Sequence, residues 1–125
     1  MDILNEIKIN VETFYLPNKS SIEKSLYFFM YKVTISNQSD KTVQLINRHW
    51  NISYANENVR IVEGEGVIGE KPIMKPNTSF EYNSFCPLPT EFGVMHGHFE
   101  MIYENGKKIN AKIAPFRLTI PFSIN

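Results

Sequence analysis

Three of the six glycines lie in the pattern Gly64-x-Gly66-x-x-Gly69, the part of this chain that most resembles a phosphate-binding loop. A dinucleotide site with this spacing needs a strand before it and a helix after it, because the helix N-terminus binds the pyrophosphate. Here Pro72 and Pro76 follow the glycines, and no amphipathic helical pattern appears. The sequence therefore excludes a dinucleotide site of the Rossmann type.

A weaker anion site remains open at the same loop. Successive backbone N–H groups of a glycine loop can bind an anion without a helix, and Arg48 and Lys71 could supply positive charge. Three carboxylates flank the glycines and would repel a phosphate, namely Glu63, Glu65 and Glu70. A structural loop or bulge that needs glycine's permissive backbone explains the cluster without a ligand and is favoured. The candidate ligand-binding or partner-binding residues are Gly64, Gly66, Gly69, Arg48 and Lys71.

The segment Arg48-His49-Trp50 offers a second candidate contact. On a strand, Arg48 and Trp50 share one face and His49 points to the other. Trp50 is expected in the core. Arg48 is either an anion or partner contact, or an edge residue whose stem packs on apolar surface. His49 is interpreted as a hydrogen-bonded polar residue rather than a ligand.

The segment His96-Gly97-His98 places two imidazoles on one face of a strand, which could begin a metal site. Such a site would need a third ligand, for example His49 or Glu100. The glutamates of the glycine loop offer oxygen ligands suited to Mg²⁺. Two histidines and an acidic cluster are weak indicators, so the sequence predicts no metal site and no cofactor.

Nucleophilic catalysis is disfavoured by the residues that are available. The only aspartates are Asp2 at the terminus and Asp40 in a turn, and no nucleophile-elbow pattern occurs. Cys86 stands between Phe85 and Pro87 and is interpreted as a small apolar filler. We expect no catalytic residues, and a non-enzymatic role is favoured.

The elements that must position these residues are strands, since the apolar residues alternate with period two and no helical period appears. Seven or more short strands with closely spaced turns indicate an all-β sandwich, with a small barrel as the competing architecture. The predicted strands are 7–13, 27–36, 43–54, 59–62, 78–84, 95–103, 109–113 and 116–122. Asn105-Gly106 is predicted to be a hairpin turn, and Ala55–Asn58 a hairpin-like turn.

Alternation also predicts which side chains face the core. In segment 43–54, Ile46 is placed on the core side with Trp50 and Ile52, and Val43 and Leu45 on the opposite face.

Two further expectations concern other strands. Phe28 and Met30 make the start of segment 27–36 apolar on both faces, so that end is expected to be buried on both sides. Pro87 and Pro89 are expected to end the strand that precedes them.

Chain length and net charge limit the classes of function that this protein could have. A chain of 125 residues fits one domain, 1–125. The 13 Lys and Arg residues balance 13 Asp and Glu, which argues against charge-driven binding of nucleic acid or anionic membrane. One cysteine allows no intrachain disulfide, the segment Met1–Lys8 is unlike a signal peptide, and no long apolar stretch occurs. We therefore expect a cytoplasmic protein.

Five segments in this order resemble the ApaG family, also called CorD: Val43–Trp50, Val62–Pro72, Phe80–Ser84, Gly93–Phe99 and Ile113–Leu118. They are similar to the family patterns VQL…RHW, VxGxGVxGExP, FxYxS, GxMxGxF/Y and IPxFxL. The departures are Asn47, Ala114 and Phe85-Cys86, none of which touches the glycine loop.

The resemblance implies an immunoglobulin-like sandwich of the fibronectin type III kind and a single ApaG domain. It also implies an association with cobalt resistance and magnesium efflux, and a protein-interaction role rather than a known catalytic activity. We therefore expect a binding module with a protein partner, linked indirectly to Co²⁺ and Mg²⁺ homeostasis. The alternative is a small-ligand binder or hydrolase for phosphate, pyrophosphate or nucleotide that uses the glycine loop.

Overall fold

The computed structural model describes residues 6–55 and 58–121. Those residues form eight strands and one 3₁₀ turn at Pro17–Lys19, so the predicted all-β class is confirmed. Asn56 and Glu57 of the expected turn, and most of the N-terminal segment Met1–Lys8, lie outside the described residues. The strands are β1 (Ile7–Tyr15), β2 (Tyr27–Asn37), β3 (Val43–Tyr54), β4 (Asn58–Glu65), β5 (Ile73–Met74), β6 (Ser79–Leu88), β7 (Phe92–Tyr103) and β8 (Lys108–Thr119).

The described strands make two antiparallel sheets that face each other as a sandwich. One sheet has the order β1-β2-β6, and the other has the order β4-β3-β7-β8, with β5 paired to the start of β3. The inner faces of both sheets supply the core, as alternation requires. Its largest fully buried side chains include Phe29, Val33, Ile35, Val43, Leu45, Val67, Leu88, Met95, Phe99, Met101 and Leu118.

Strand β3 contains a bulge that changes which residues face the core. Leu45 pairs with Met101 of β7 but Asn47 pairs with Glu100, so β3 has one extra residue, Ile46. Before the bulge the buried side chains are odd-numbered, Val43 and Leu45. After it they are even-numbered, Trp50 and Ile52. The placement of Ile46 in the core, with Val43 and Leu45 opposite, is therefore wrong. The expectation for Trp50 is confirmed.

Two prolines expected to interrupt strands lie inside them. Strand β6 continues through Pro87, which pairs with Phe28. In the sheet order β6 is an edge strand, where a missing N–H is tolerated. The two C-terminal segments expected on either side of Pro115 form one strand, β8. Its register against β7 shifts between Met95 and Gly97, so a bulge accommodates the proline.

The apolar start of β2 has one covered face and one open face. Phe29 on the inner face is fully buried, whereas Phe28 and Met30 on the outer face are half-buried. On that outer face, Met30 lies between Phe14 of β1 and Phe85 of β6 in register. These side chains are covered only in part, so the expected burial on both sides is wrong.

Candidate functional site

The glycine loop (Glu63–Pro72) is a tight hairpin that leads out of β4. The N–H of Gly66 donates to the carbonyl of Ile46 at 2.8 Å. Val67 and Glu70 exchange two backbone hydrogen bonds of 2.8 and 2.9 Å. Ile68 and Gly69 between them have φ values of 44° and 80°. Positive φ at both central residues is the geometry of a type I′ turn, so backbone hydrogen bonds within the chain set the shape of the loop.

This geometry bears directly on the phosphate alternative. The amides of Gly66, Val67 and Glu70 all donate to carbonyls of the chain and are not free to bind an anion. After the loop the chain passes through Pro72 into β5 rather than into a helix. The exclusion of a Rossmann-type site from sequence therefore agrees with the structure.

Both the backbone conformation and the close packing at position 66 require a glycine. Its φ is 62°, a conformation that other residues rarely adopt, and a Cβ added here would overlap the carbonyl oxygen of Glu70. Gly69 also has positive φ, but a Cβ there would have no neighbour within 4 Å. Positive φ therefore requires both glycines, and the close approach of Glu70 is a second requirement at Gly66 alone.

Arg48 holds the start of the loop. Its Nη1 atom donates to the carbonyls of Glu65 at 3.0 Å and Gly66 at 2.9 Å. The guanidinium lies over Gly64, where an added Cβ would be 2.9 Å from Nη2. The half-buried Arg48 side chain lies on the same face of β3 as Trp50, as the sequence predicts. The contacts seen here give Arg48 a positioning role in the loop.

A buried pair of tyrosines faces Arg48 from the opposite sheet. Burial raises the pKa of Tyr31 on β2 and the pKa of Tyr82 on β6, and the positive charge of Arg48 opposes the rise in each case. The Tyr31 hydroxyl also interacts with the side chain of Ser84, which lowers its pKa. The Tyr82 hydroxyl has no hydrogen-bond partner within the described part of the chain. Both phenols therefore stay protonated and neutral near neutral pH.

Lys71 joins the site from the far end of the loop. Its Nζ atom lies 3.1 Å from the Glu65 carboxylate, and its backbone carbonyl accepts a hydrogen bond of 3.1 Å from the side chain of Gln44. The ion pair is exposed to solvent and contributes at most about 1 kcal/mol. The structure thus brings all five candidate residues into one loop and its support, although their role in binding stays a prediction.

The three histidines lie on the outer face of the five-stranded sheet. His49 Nδ1 is 2.6 Å from the Glu63 carboxylate, and the His49 ring stacks on His98 with centroids 5.0 Å apart. His96 lies opposite Asn51 in the next row. The interpretation of His49 as a hydrogen-bonded polar residue agrees with this arrangement. The strand register that brings His49 to His98 was not accessible from sequence.

Metal ligands are not assembled on this face. A depression of about 550 Å³ is lined in part by His49, Glu63, His98 and Glu100. Glu100 accepts a hydrogen bond of 2.7 Å from the Asn47 amide. Across residues 6–55 and 58–121, no three His, Cys, Asp or Glu side chains are grouped so that they could hold a metal ion.

Cys86 is buried at the edge of the sandwich. Burial raises the pKa of its thiol, while the charge and hydrogen bond of Arg60 act in the opposite direction. Arg60 Nη2 donates to the Pro87 carbonyl at 3.2 Å and lies 3.5 Å from the Cys86 sulfur. A protonated, buried thiol agrees with the filler role expected from sequence.

The sequence did not identify the exposed apex of the glycine loop. Ile68 is 55% exposed at its positive φ, which is exceptional for a β-branched residue. Ile73, just beyond the loop, is 66% exposed. The only signal was the dipeptide Ile68-Gly69, which lacks the usual Asn or Asp of a type I′ turn.

Comparison with known proteins shows that this chain resembles one family over most of its length. The family model described as the ApaG domain matches residues 17–103. Protein ApaG of Beijerinckia indica is 45% identical over 97% of this chain and 93% of its own length. Protein ApaG of Shewanella woodyi is 42% identical over 96% and 95%. The crystal structure of an ApaA protein from Bordetella pertussis superposes with a TM-score of 0.90 at 39% identity, covering 92% of this chain and 94% of that one.

No helix in the described ranges is long and apolar enough to cross a membrane.

Proposed function

Since the chain belongs to the ApaG family, we propose that it is a single-domain, non-enzymatic protein-interaction module whose contact surface is the glycine loop. Its association with Co²⁺ and Mg²⁺ homeostasis, implied by the family resemblance, would then be indirect and act through a partner. The observation that carries the proposal is Ile68, an exposed isoleucine held at positive φ on the apex of the loop.

This conformation has a cost that the isolated domain does not recover. A non-glycine residue at positive φ costs on the order of 1–3 kcal/mol, and an exposed isoleucine gains little from burial in the free protein. A partner that covers Ile68 would bury its side chain without first having to order the loop. Preorganisation of this kind strengthens binding because less conformational entropy is lost on association.

The surroundings of Ile68 suit a protein partner better than a phosphate. Glu70 closes the turn that holds Ile68, and Glu65 precedes that turn in the same loop and is paired with Lys71. An apolar anchor rimmed by charged groups is typical of a protein interface. The same carboxylates oppose an incoming anion, and three loop amides are already engaged.

The test is capture of a partner by immobilised protein from a lysate of its native host. Wild type is compared with Ile68→Asp and with Ile22→Asp as the matched control, since Ile22 is 72% exposed in the connection between β1 and β2. We expect a partner that binds wild type and the control but is lost with Ile68→Asp. Gly66→Asp, which would distort the loop, should lose it too. Equal capture by all variants, or no specific capture by wild type, would refute the proposal.

The phosphate alternative rests on Arg48 and Lys71 lying at one loop and is tested separately. A thermal-shift panel of phosphate, pyrophosphate, nucleotides, Mg²⁺ and Co²⁺ should give no shift if the interaction role is correct. A ligand at 100 times its Kd would add about 2.7 kcal/mol of stability, which such a panel detects readily. A shift of that size that is lost in Arg48→Gln would favour the alternative.

A further inference from the structure

Strand β4 forms a free edge of the five-stranded sheet. The sheet order places β3 on one side of β4, and no described strand pairs with the other side. Edge strands with unpaired N–H and C=O groups can pair with strands of other chains, and proteins usually protect them with prolines, bulges or charges. The β4 segment contains no proline or lysine, and Arg60 turns its guanidinium toward the Pro87 carbonyl on β6.

The pairing register shows which groups of β4 point outward. Gly66 N–H donates to Ile46, and the same register pairs Gly64 with Arg48 and Val62 with Trp50. In an antiparallel pair, hydrogen-bonded and non-hydrogen-bonded positions alternate. The even-numbered residues of β4 therefore bond to β3. Three odd-numbered residues direct their N–H and C=O groups away from the sheet, namely Val59, Ile61 and Glu63.

Arg48 sets one limit of this open stretch. Glu65 would be the next outward-facing residue, but its carbonyl already accepts the hydrogen bond from Arg48 Nη1. The guanidinium reaches this carbonyl because Gly64 has no side chain in its way. The unprotected part of the edge thus runs from Val59 to Glu63.

The side chains along this stretch define what it can bind. Val59 and Ile61 are 56% and 51% exposed. Glu63 and Glu65 follow them on the same outer face, and both carboxylates are largely exposed. The face thus presents two apolar residues and then two acidic ones. A segment added beside β4 would complement it with two apolar residues at alternate positions, followed by a basic residue opposite Glu63.

We propose that the β4 edge accepts an extended segment of a partner protein by strand addition, with apolar residues against Val59 and Ile61 and a basic residue against Glu63. Backbone hydrogen bonds would supply affinity, and the alternating side chains specificity. The inference rests on the interaction role proposed above. It concerns a different surface from the loop apex, so the two proposals can fail separately.

A second copy of this chain fits the edge less well. If two β4 strands paired antiparallel over the open stretch 59–63, Ile61 would lie opposite the partner copy's Ile61, and Val59 opposite the partner copy's Glu63. Two of the three facing pairs would then set an apolar residue against a carboxylate, and such pairs stabilise a sheet poorly. A complementary segment from another protein avoids this mismatch.

The direct test uses synthetic peptides of about eight residues that alternate threonine with Val-Val-Lys-Lys or with Lys-Lys-Val-Val, to cover both strand directions. We expect saturable binding of one peptide by fluorescence anisotropy. In hydrogen exchange, the amides of Val59, Ile61 and Glu63 should become protected on binding, while Arg60 and Val62 are already protected in the free protein. A version N-methylated at the residues that face β4 should not bind.

Variants separate this mode of binding from others. Ile61→Lys should weaken peptide binding about tenfold or more, whereas Ile22→Lys, at an exposed residue outside the edge, should leave it unchanged. Ile68→Asp should also leave it unchanged, so loss of strand addition and loss of the loop interaction are distinguishable. No binding of either peptide, binding insensitive to N-methylation, or a dimer in light scattering that Ile61→Lys disrupts would overturn the proposal.

Discussion

The guanidinium of Arg48 lies directly over the Cα of Gly64, and an added Cβ at Gly64 would come within 2.9 Å of Arg48 Nη2. The arginine reaches two loop carbonyls because the strand beside it has no side chain at this point. The two residues therefore act as one structural unit, and the chain cannot change one without affecting the other.

This coupling predicts non-additive stability changes. Arg48→Ala should lower the free energy of unfolding by about 2 kcal/mol, since it removes two charge-assisted hydrogen bonds. Gly64→Ala should also destabilise the protein, because it displaces the same guanidinium. Urea denaturation of the double variant should show a loss smaller than the sum of the two single losses. Strict additivity would show that the two residues act independently.

Replacement of Gly66 or of Gly69 by alanine should destabilise the protein to different extents. Gly69→Ala should cost about 1–2 kcal/mol, the usual penalty for a Cβ at positive φ. Gly66→Ala carries the same penalty and adds the overlap with the Glu70 carbonyl, so it should cost clearly more. Thermal denaturation of the two variants provides the comparison. Equal losses would mean that the hairpin relaxes around Gly66 without cost.

Replacing Tyr31 and replacing Tyr82 by phenylalanine should have opposite effects on stability. The Tyr82 hydroxyl is buried without a hydrogen-bond partner among the described residues, so Tyr82→Phe should be neutral or stabilising. Tyr31→Phe removes the interaction with Ser84 and should destabilise by about 1 kcal/mol. Chemical denaturation at neutral pH measures both. A large loss for Tyr82→Phe would reveal an interaction of its hydroxyl that this structure does not include.

Tyr103 predicts a loss of stability at high pH. Burial and the hydrogen bond to the Glu6 carboxylate at 2.6 Å raise the pKa of Tyr103 to about 12, from an ordinary value of 10.0. A phenol with a raised pKa in the folded state stabilises the protein fully below pH 10. That contribution declines as the pH rises from 10 toward 12, since the unfolded chain ionises first.

The variant Tyr103→Phe provides the control for this prediction. Tyr103→Phe should be less stable than wild type at neutral pH, because the hydrogen bond to Glu6 is lost. The difference should shrink as the pH rises from 10 toward 12, as urea midpoints across that range would show. A constant difference between the two proteins would mean that Tyr103 does not titrate in this range.

Local sequence patterns were sufficient for many elements. The predicted limits of segment 43–54 match β3, since its alternation is long and bounded by turn residues. Asn105-Gly106 was predicted as a hairpin turn, and it joins β7 to β8 with Gly106 at φ 89°. In both cases short-range backbone preferences determine the structure.

Features that depend on the neighbouring strand were not predictable. The bulge at Ile46 changes which side chains of β3 face the core, from odd-numbered to even-numbered residues. It arises in the pairing of β3 with β7 and is not visible in residues 43–54 alone. Likewise, the apolar character of Phe28 and Met30 predicts burial on both faces of β2, yet both side chains are only half-buried. Sequence alone also could not show that Arg48 reaches over Gly64.

Four supports of the glycine loop come from one short piece of β3. Gln44, Leu45, Ile46 and Arg48 make the contacts to Lys71, Pro72, Gly66 and Glu65. Two segments of sequence thus depend on each other, and a graft of the loop onto another antiparallel sandwich would need residues 44–48 together with a core that accepts Val67. During evolution, by the same logic, an insertion within residues 44–48 would displace the loop even if every residue of the loop were preserved.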